Sequence, residues 1–528
     1  MKVQLYDTTL RDGAQMEGIS LSVEDKLKIV QKLDELGIHY IEGGWPGSNP
    51  KDVEFFARAQ SLQLTCAKLA AFGSTRHAGA SADDDANLRA LLDAHTPVVT
   101  IVGKAHTMQV HDVLETTTEE NLAMIADSIR LLKSHDRTVF FDAEHFFDGY
   151  AADPAYALQC LKAAASAGVD AIALCDTNGG AMPAQLAAAV RAAREAVPVA
   201  LGIHTHNDAN LAIANTLVAI EEGCTQVQGC INGYGDKCGN ADMVSIIANL
   251  QIKLGINVVT DEQLARLTEV SHYVSEIVNL VPNPFQPYVG ASAFAHKAGL
   301  HADGILKNEA SYRHVAPALV GNEHRLLISE LAGSRGLLEK LRNAGIAVDM
   351  DRDGARRVLE LVKEQESRGY QYESAEASFE LLVRRSLPGY EPPFELDDFW
   401  VVQRRATNPG DHGREMQTEA MVKVRVGGEM IQTAADGNGP VNALDAAVRK
   451  ALVTFYPSLE AVKLVDYKVR IIDTGAGTGA SVRVLIESTD GERMWRTVGA
   501  STDIIEASWL ALNDALEYGL LDRDPGQR

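Results

Sequence analysis

The chain has 528 residues, more than one average domain uses, and its length alone points to about two to four domains. Its composition, 46% apolar and 23% charged, is that of a globular protein able to bury a large core, which excludes wholesale disorder. Asp plus Glu outnumber Lys plus Arg by 72 to 49, a formal net charge of −23, which excludes nucleic acid and anionic membrane as main partners, so an anionic substrate has to be held by a local site.

The N-terminal stretch, residues 1–13, already reads as a strand followed by polar residues, with no basic-then-apolar leader. No run reaches about 18 apolar residues, so no membrane span is expected and the expected address is cytoplasmic. The six cysteines form no CxxC pair and are too sparse for a disulfide framework; they read as reduced, mostly buried thiols.

From there, short β-branched runs alternate with helical patterns. The strand cues fall at residues 3–6, 40–41, 64–71, 98–102, 138–141, 171–174, 199–203 and 226–229, each followed by a helix-like stretch. Eight such units predict a TIM (β/α)8 barrel. A doubly wound open sheet rarely needs eight strands so evenly spaced, and no GxGxxG opens the first helix. Helix punctuation agrees: Ser22 with Asp25 forms a capping-box pattern closed by Gly37, Pro154 and Pro183 stand at helix starts, and Gly168, Gly223 and Gly255 mark later ends.

The barrel is expected to occupy residues 1–280. Residues 281–400 read as a Pro-interrupted linker with helical subdomains. Residues 401–528 return to short strands, with a hairpin at Gly427-Gly428, a helix from Pro440, three strands and a last helix from about Asp503, a separate α+β domain. Within it Val441–Ala447 aligns with Ile505–Ala511 at the heads of the two helices, which predicts a pseudo-symmetric pair of strands-then-helix units. The glycine-rich stretch 473–480 lacks the Lys-Ser/Thr ending of a phosphate loop and reads as a plain loop.

A parallel barrel builds its active site at the C-terminal strand ends, and here those ends are polar. Strand one leads to Asp7, Arg11 and Asp12, strand two to Glu42, strand five to Asp142, Glu144 and His145, and strand six to Asp176, Thr177 and Asn178. Strand seven ends in His204-Thr-His206-Asn-Asp208. Two histidines two apart on a strand point the same way and can share a metal ion, with a carboxylate from strand one completing a mixed N/O set. Asn240, after strand eight, offers a further oxygen. Each residue also has an ordinary reading: an HxH as a hydrogen-bonded pair, Asp7 or Asp12 as a turn residue, Asn240 as a helix cap. On spacing alone both readings stay open.

The stretches Asp7-Thr-Thr-Leu-Arg-Asp-Gly13, His204-Thr-His206-Asn-Asp208 and Gly239-Asn240 occur in order on strands one, seven and eight. In these, and over essentially its whole length, the chain resembles the DRE-TIM metallolyases, specifically the 2-isopropylmalate, homocitrate and citramalate synthases. Glu42-Gly-Gly-Trp-Pro-Gly-Ser-Asn-Pro50, Ala71-Phe-Gly-Ser-Thr-Arg76 and Ala295-His-Lys-Ala-Gly-Leu-His-Ala-Asp-Gly304 are most similar to the citramalate synthase branch. The resemblance implies condensation of acetyl-CoA with pyruvate in isoleucine biosynthesis. It also implies Asp12, His204, His206 and Asn240 as ligands of a divalent cation (Mn, Mg, Zn or Co) and Arg11 as the group that stabilises the developing alkoxide. Thr177 is implied at the keto-acid carboxylate, and Glu144, His301, Asp303 and Tyr312 as the acid/base set. By the same resemblance the C-terminal part is a regulatory and dimerisation domain that binds isoleucine in a homodimer. The alternatives are a 3-hydroxyacyl-CoA lyase of the same superfamily, a synthase acting on 2-ketoisovalerate or 2-ketoglutarate, and a non-catalytic amino-acid sensor.

Overall fold

A computed structural model of the chain describes residues 2–296, 304, 308, 311–326, 352–372, 375–405, 416–472 and 477–521. They fall into two compact units, residues 1–295 with 313–325 and residues 296–312 with 326–528.

In the first unit eight parallel strands close into a barrel in sequential order: β1 (Gln4–Asp7), β2 (Tyr40–Gly44), β3 (Lys68–Ser74), β4 (Val98–Lys104), β5 (Thr138–Glu144), β6 (Ala171–Asp176), β7 (Ala200–Thr205) and β8 (Gln226–Gly229). All eight predicted strands are present, and most run further toward their C-terminal ends than the apolar cues did. Side chains alternate across each strand. One set, including Leu5, Ile41, Val99, Phe141, Leu174, Ile203 and Val227, is buried against the surrounding helices. The other set fills the lumen: Tyr6, Ala70, Val98, Phe140 and Ala171 cluster with Tyr40, the rings of Tyr40 and Phe140 meeting edge to face at 5.0 Å. Two residues further along the strands, the same phase places Glu42, Thr100, Asp142, His204 and Gln228, all buried and all polar. Tyr6 joins the two layers, its hydroxyl 2.5 Å from Oε2 of Glu42 and 2.6 Å from Oγ1 of Thr100.

The first helix, Val23–Leu36, begins with the expected capping box, Ser22 accepting from Asp25 N–H and Asp25 from Ser22 N–H, and ends at Gly37 in a left-handed conformation (φ 90°). All six cysteines are free thiols, four of them buried. Among the described residues no helix is long and apolar enough to cross a membrane.

The described residues of the second unit include the helices Arg352–Ser367 and Glu376–Arg385, which precede two three-stranded antiparallel sheets. One sheet is β9 (Glu395–Arg405), β10 (Met416–Val426) and β11 (Glu429–Gly437), followed by the helix Pro440–Leu452. The other is β12 (Lys463–Ile471), β13 (Val482–Thr489) and β14 (Met494–Ser501), followed by the helix Ile504–Leu520. The β10–β11 hairpin turns at Gly427 and Gly428, both at positive φ (57° and 90°). The repeat expected from sequence extends to single atoms: Oγ1 of Thr433 donates to the Ala447 carbonyl and Oγ1 of Thr497 to the Ala511 carbonyl, each at 2.7 Å. Trp495, 2% exposed, anchors the second copy by donating Nε1–H to the Ala515 carbonyl at 3.1 Å.

Candidate active site

The polar layer of the lumen opens into a cavity of about 490 Å³ lined by Arg11, Asp12, Glu144, Thr177, His204 and His206, with Trp45, Phe72, Val102 and Cys175 as its less polar wall. Residues from seven strands or strand-following loops therefore meet at one end of the barrel, as strand phase dictates.

His204 closes the polar layer on β7 and His206 lies just past the strand, bridged through its backbone to Asn240. Their Nε2 atoms face each other at 3.2 Å, and Oδ2 of Asp12 lies 3.3 Å from His204 Nε2 and 3.8 Å from His206 Nε2. One ligand atom from each of the three residues lies within 4.8 Å of the others, and all three residues are buried. Two imidazole lone pairs this close repel unless a proton or a cation sits between them. Burial opposes charge on both rings. At His204 the hydrogen bond and charge of Asp12 outweigh it and raise the pKa, whereas burial and the charge of His204 lower His206 to about 4. Burial likewise opposes ionisation of Asp12, but Arg11 and the two histidines hold its carboxyl below the usual range.

Asn240 donates Nδ2–H to Oδ2 of Asp12 at 2.8 Å, while its Oδ1 and the Nδ1 of His206 are buried without a hydrogen-bond partner. A buried oxygen without a donor beside two converging imidazoles and a carboxylate is the donor set a borderline or hard divalent cation accepts. The residues fit such an ion. Gly239 (φ 86°) lets the chain approach closely here, since a Cβ on it would meet the Gly233 carbonyl oxygen at 2.0 Å.

Arg11 donates Nε–H to Oε1 of Glu42 at 2.5 Å, has Nη1 3.5 Å from Asp12 Oδ2, and lays its guanidinium 3.9 Å over the Phe72 ring. Burial works against its charge, yet Glu42 and Asp12 together outweigh it and raise its pKa. Arg11 is thus ion-paired inside the barrel and also lines the cavity. Burial first, then the charge of Glu42, raises Asp142 to about 7. Thr177 accepts from the backbone N–H of His145 through Oγ1 at 2.9 Å, which leaves its hydroxyl hydrogen available. Glu144 pairs with Nζ of Lys104, its direct neighbour in the β4–β5 register. Directly after Glu144 the backbone takes a left-handed conformation at His145 (φ 58°), and Lys237, which also lines the cavity, does the same (φ 54°).

Arg11, Asp12, Glu144, Thr177, His204, His206 and Asn240, the residues singled out from sequence in this unit, thus come together. His301 and Asp303 lie outside the described residues. Tyr312 is 44% exposed and belongs to the second unit. Sequence reasoning assigned no role to Glu42 or Asp142 and passed over Phe72, Lys104 and Gln228. For Asp142 the signal was strand phase, two residues before Glu144 on β5, whereas Lys104 and Gln228 come opposite Glu144 and His204 only through the barrel register.

The HMGL-like family matches residues 2–274, the homocitrate synthase post-HMGL domain-like family residues 288–369, and the LeuA allosteric (dimerisation) domain residues 373–520. The chain is 51% identical over 518 residues to an (R)-citramalate synthase of Geobacter sulfurreducens, covering 98% of this chain and 97% of that one. It is 49% identical to an (R)-citramalate synthase of Aquifex aeolicus over 99% of both chains. A probable 2-isopropylmalate synthase of Methanopyrus kandleri is 30% identical over 96% of each.

Proposed function

The chain belongs to the HMGL-like family and, within it, to the (R)-citramalate synthases, and from that premise we propose how its barrel mouth joins acetyl-CoA to pyruvate and, with hydrolysis of the thioester, releases citramalate and CoA. One observation carries the reading: Asp12, His204 and His206 turn three ligand atoms toward one another in a cavity that Arg11 and Glu144 also line.

Asp12, His204 and His206 would hold a divalent cation, with Asn240 as a further ligand through its unpartnered Oδ1. A cation bound there supplies Lewis acidity to the keto carbonyl of pyruvate and a template for its carboxylate. Mn, Mg, Zn and Co all suit a donor set of two imidazoles, a carboxylate and an amide oxygen. Arg11, held by Glu42 and Phe72, directs positive charge at the oxygen where negative charge gathers as the new carbon–carbon bond forms, an effect worth about 3 kcal/mol in comparable sites. Thr177 donates its remaining hydroxyl hydrogen to the carboxylate of the keto acid.

The methyl group of acetyl-CoA must lose a proton before it attacks, and Glu144 with His301 is the proposed base. Asp303 orients His301 and Tyr312 completes the acid/base set. Lys104, ion-paired to Glu144, keeps that carboxylate near the cavity. In this reading residues 1–280 are catalytic, residues 281–400 deliver His301, and residues 401–528 regulate.

The LeuA allosteric (dimerisation) domain gives the chain a region for effector binding and dimer formation. We propose isoleucine as the effector, a homodimer as the assembly and the cytoplasm as the place of work. The test is CoA release with acetyl-CoA and each of pyruvate, 2-ketoisovalerate and 2-ketoglutarate, on metal-stripped protein resupplied with manganese or magnesium. Metal-dependent turnover selective for pyruvate is expected. Preference for another keto acid would overturn the substrate, and silence with all three would overturn the synthase reading.

A further inference from the structure

The two histidines that face Asp12 are held differently. Nδ1 of His206 is buried without a partner, whereas Nδ1 of His204 lies 2.9 Å from Oε1 of Gln228. Gln228 is fully buried and sits directly opposite His204 in the β7–β8 register. Its Nε2 donates to Oδ1 of Asp142 at 2.8 Å, reaching from β8 to β5.

An amide placed between an imidazole nitrogen and a carboxylate has one favourable orientation. An ionised carboxylate oxygen offers only lone pairs, so it takes the N–H of the amide, and the amide oxygen is left facing the ring. That oxygen can only accept, so the ring nitrogen opposite it must carry a hydrogen. In the neutral ring this leaves the lone pair on Nε2, the atom that points at Oδ2 of Asp12 and at Nε2 of His206. With the opposite amide orientation, carbonyl and carboxylate oxygens would face each other inside the barrel, unsatisfied and repelling.

We propose that Gln228, braced by Asp142, is a positioning residue that fixes His204 as its Nδ1–H tautomer and thereby presents Nε2 to a divalent cation. The inference rests on the metal role proposed above and deepens it. Outer partners of this kind orient a ligating histidine and raise its basicity, and losing one typically weakens metal binding by about 10- to 100-fold. His206 has no such brace, so the site's orientation comes through His204.

The test is calorimetric titration of Mn²⁺ into the full-length, chelator-stripped protein at pH 8, above the value of about 7 to which burial pushes Asp142. Gln228→Met keeps the side-chain length and removes both hydrogen bonds. It is expected to bind Mn²⁺ about tenfold more weakly or worse, and a smaller change overturns the assignment. The swap Gln228→Glu with Asp142→Asn reverses the acid and the amide. Glu then accepts from Nδ1–H while Asn donates to it, and affinity within about threefold of wild type is expected for that swap. A swap as weak as Gln228→Met means that packing alone was lost, and it overturns the assignment even where the single variant folds poorly. His204→Ala separates the two levels. If it binds Mn²⁺ as wild type does, the metal role itself falls; if it loses binding while Gln228→Met does not, only the positioning role falls.

Discussion

Replacing Tyr6 by Phe removes one oxygen from the middle of the barrel and changes nothing else in shape. That hydroxyl lies 2.5 Å from the Glu42 carboxylate that Arg11 pairs with, and 2.6 Å from the Thr100 hydroxyl, with all three residues fully buried. A hydrogen bond to a charged group is worth about 1.5–3 kcal/mol and a neutral one about 0.5–1.5 kcal/mol, so the loss sums to about 2–4.5 kcal/mol. Barrel amides that exchange only by global opening should then exchange faster by about 30-fold to 1,600-fold, at one decade per 1.4 kcal/mol. Hydrogen exchange read by mass spectrometry on peptides from β4 to β7 measures this directly, with peptides from the second unit as an internal reference. Acceleration below about threefold would refute the reasoning, because it would mean that Glu42 and Thr100 lose nothing when the hydroxyl goes.

Burial raises the Asp7 carboxyl from its ordinary 3.8 to about 7, the hydrogen bonds from Thr9 only partly offsetting it. Its protonated form is therefore favoured by folding, so its stabilising contribution is full below about pH 4 and lost as pH rises through 7. Asp7→Asn, which cannot ionise, should gain stability relative to wild type between pH 5 and pH 8 in urea unfolding; parallel behaviour of the two proteins would contradict the assignment. Saturating the stripped protein with Mn²⁺ at about 100 times its dissociation constant should stabilise the barrel by about 2.7 kcal/mol. No change in barrel exchange rates on adding Mn²⁺ would count against a metal at Asp12, His204 and His206. Thr497→Val keeps the volume and removes the bond to the Ala511 carbonyl, which should weaken the second unit by about 1 kcal/mol in denaturant unfolding and leave barrel exchange unchanged. A change confined to the barrel would contradict the division into two units.

The barrel was legible because its strands are buried on both sides and bounded by well-capped helices, and the alternation of apolar runs survives that. Their far ends were not, because Lys104, Glu144, Asp176 and Thr205 extend the strands on neighbour pairing rather than on hydrophobicity. The cue at residues 64–71 began too early for a different reason. Asp34 captures the backbone N–H groups of Thr65, Cys66 and Ala67, which would otherwise be free to join the sheet, so β3 starts only at Lys68. In the second unit the first strand begins at Glu395, where a charged segment with a bulge between Leu396 and Asp398 hides the pattern. His204 and His206 could be read from spacing because they are neighbours in the chain. The pairing of Gln228 with Asp142 could not, since the two lie 86 residues apart and meet only when the barrel closes.

The left-handed backbone at His145 and Lys237 has a consequence for how this protein can change. A residue with a Cβ held there costs about 1–3 kcal/mol, so the cavity's edge stores a conformation the free chain would not choose. Glycine at either position would relieve it and make a hardier protein of about 1 kcal/mol greater stability. The same relief would loosen the turn that carries Glu144 and the loop that leads to Asn240. Selection for heat resistance and selection for turnover therefore pull these two positions in opposite directions, and variants recovered from a purely thermal screen should carry glycine there and work more slowly.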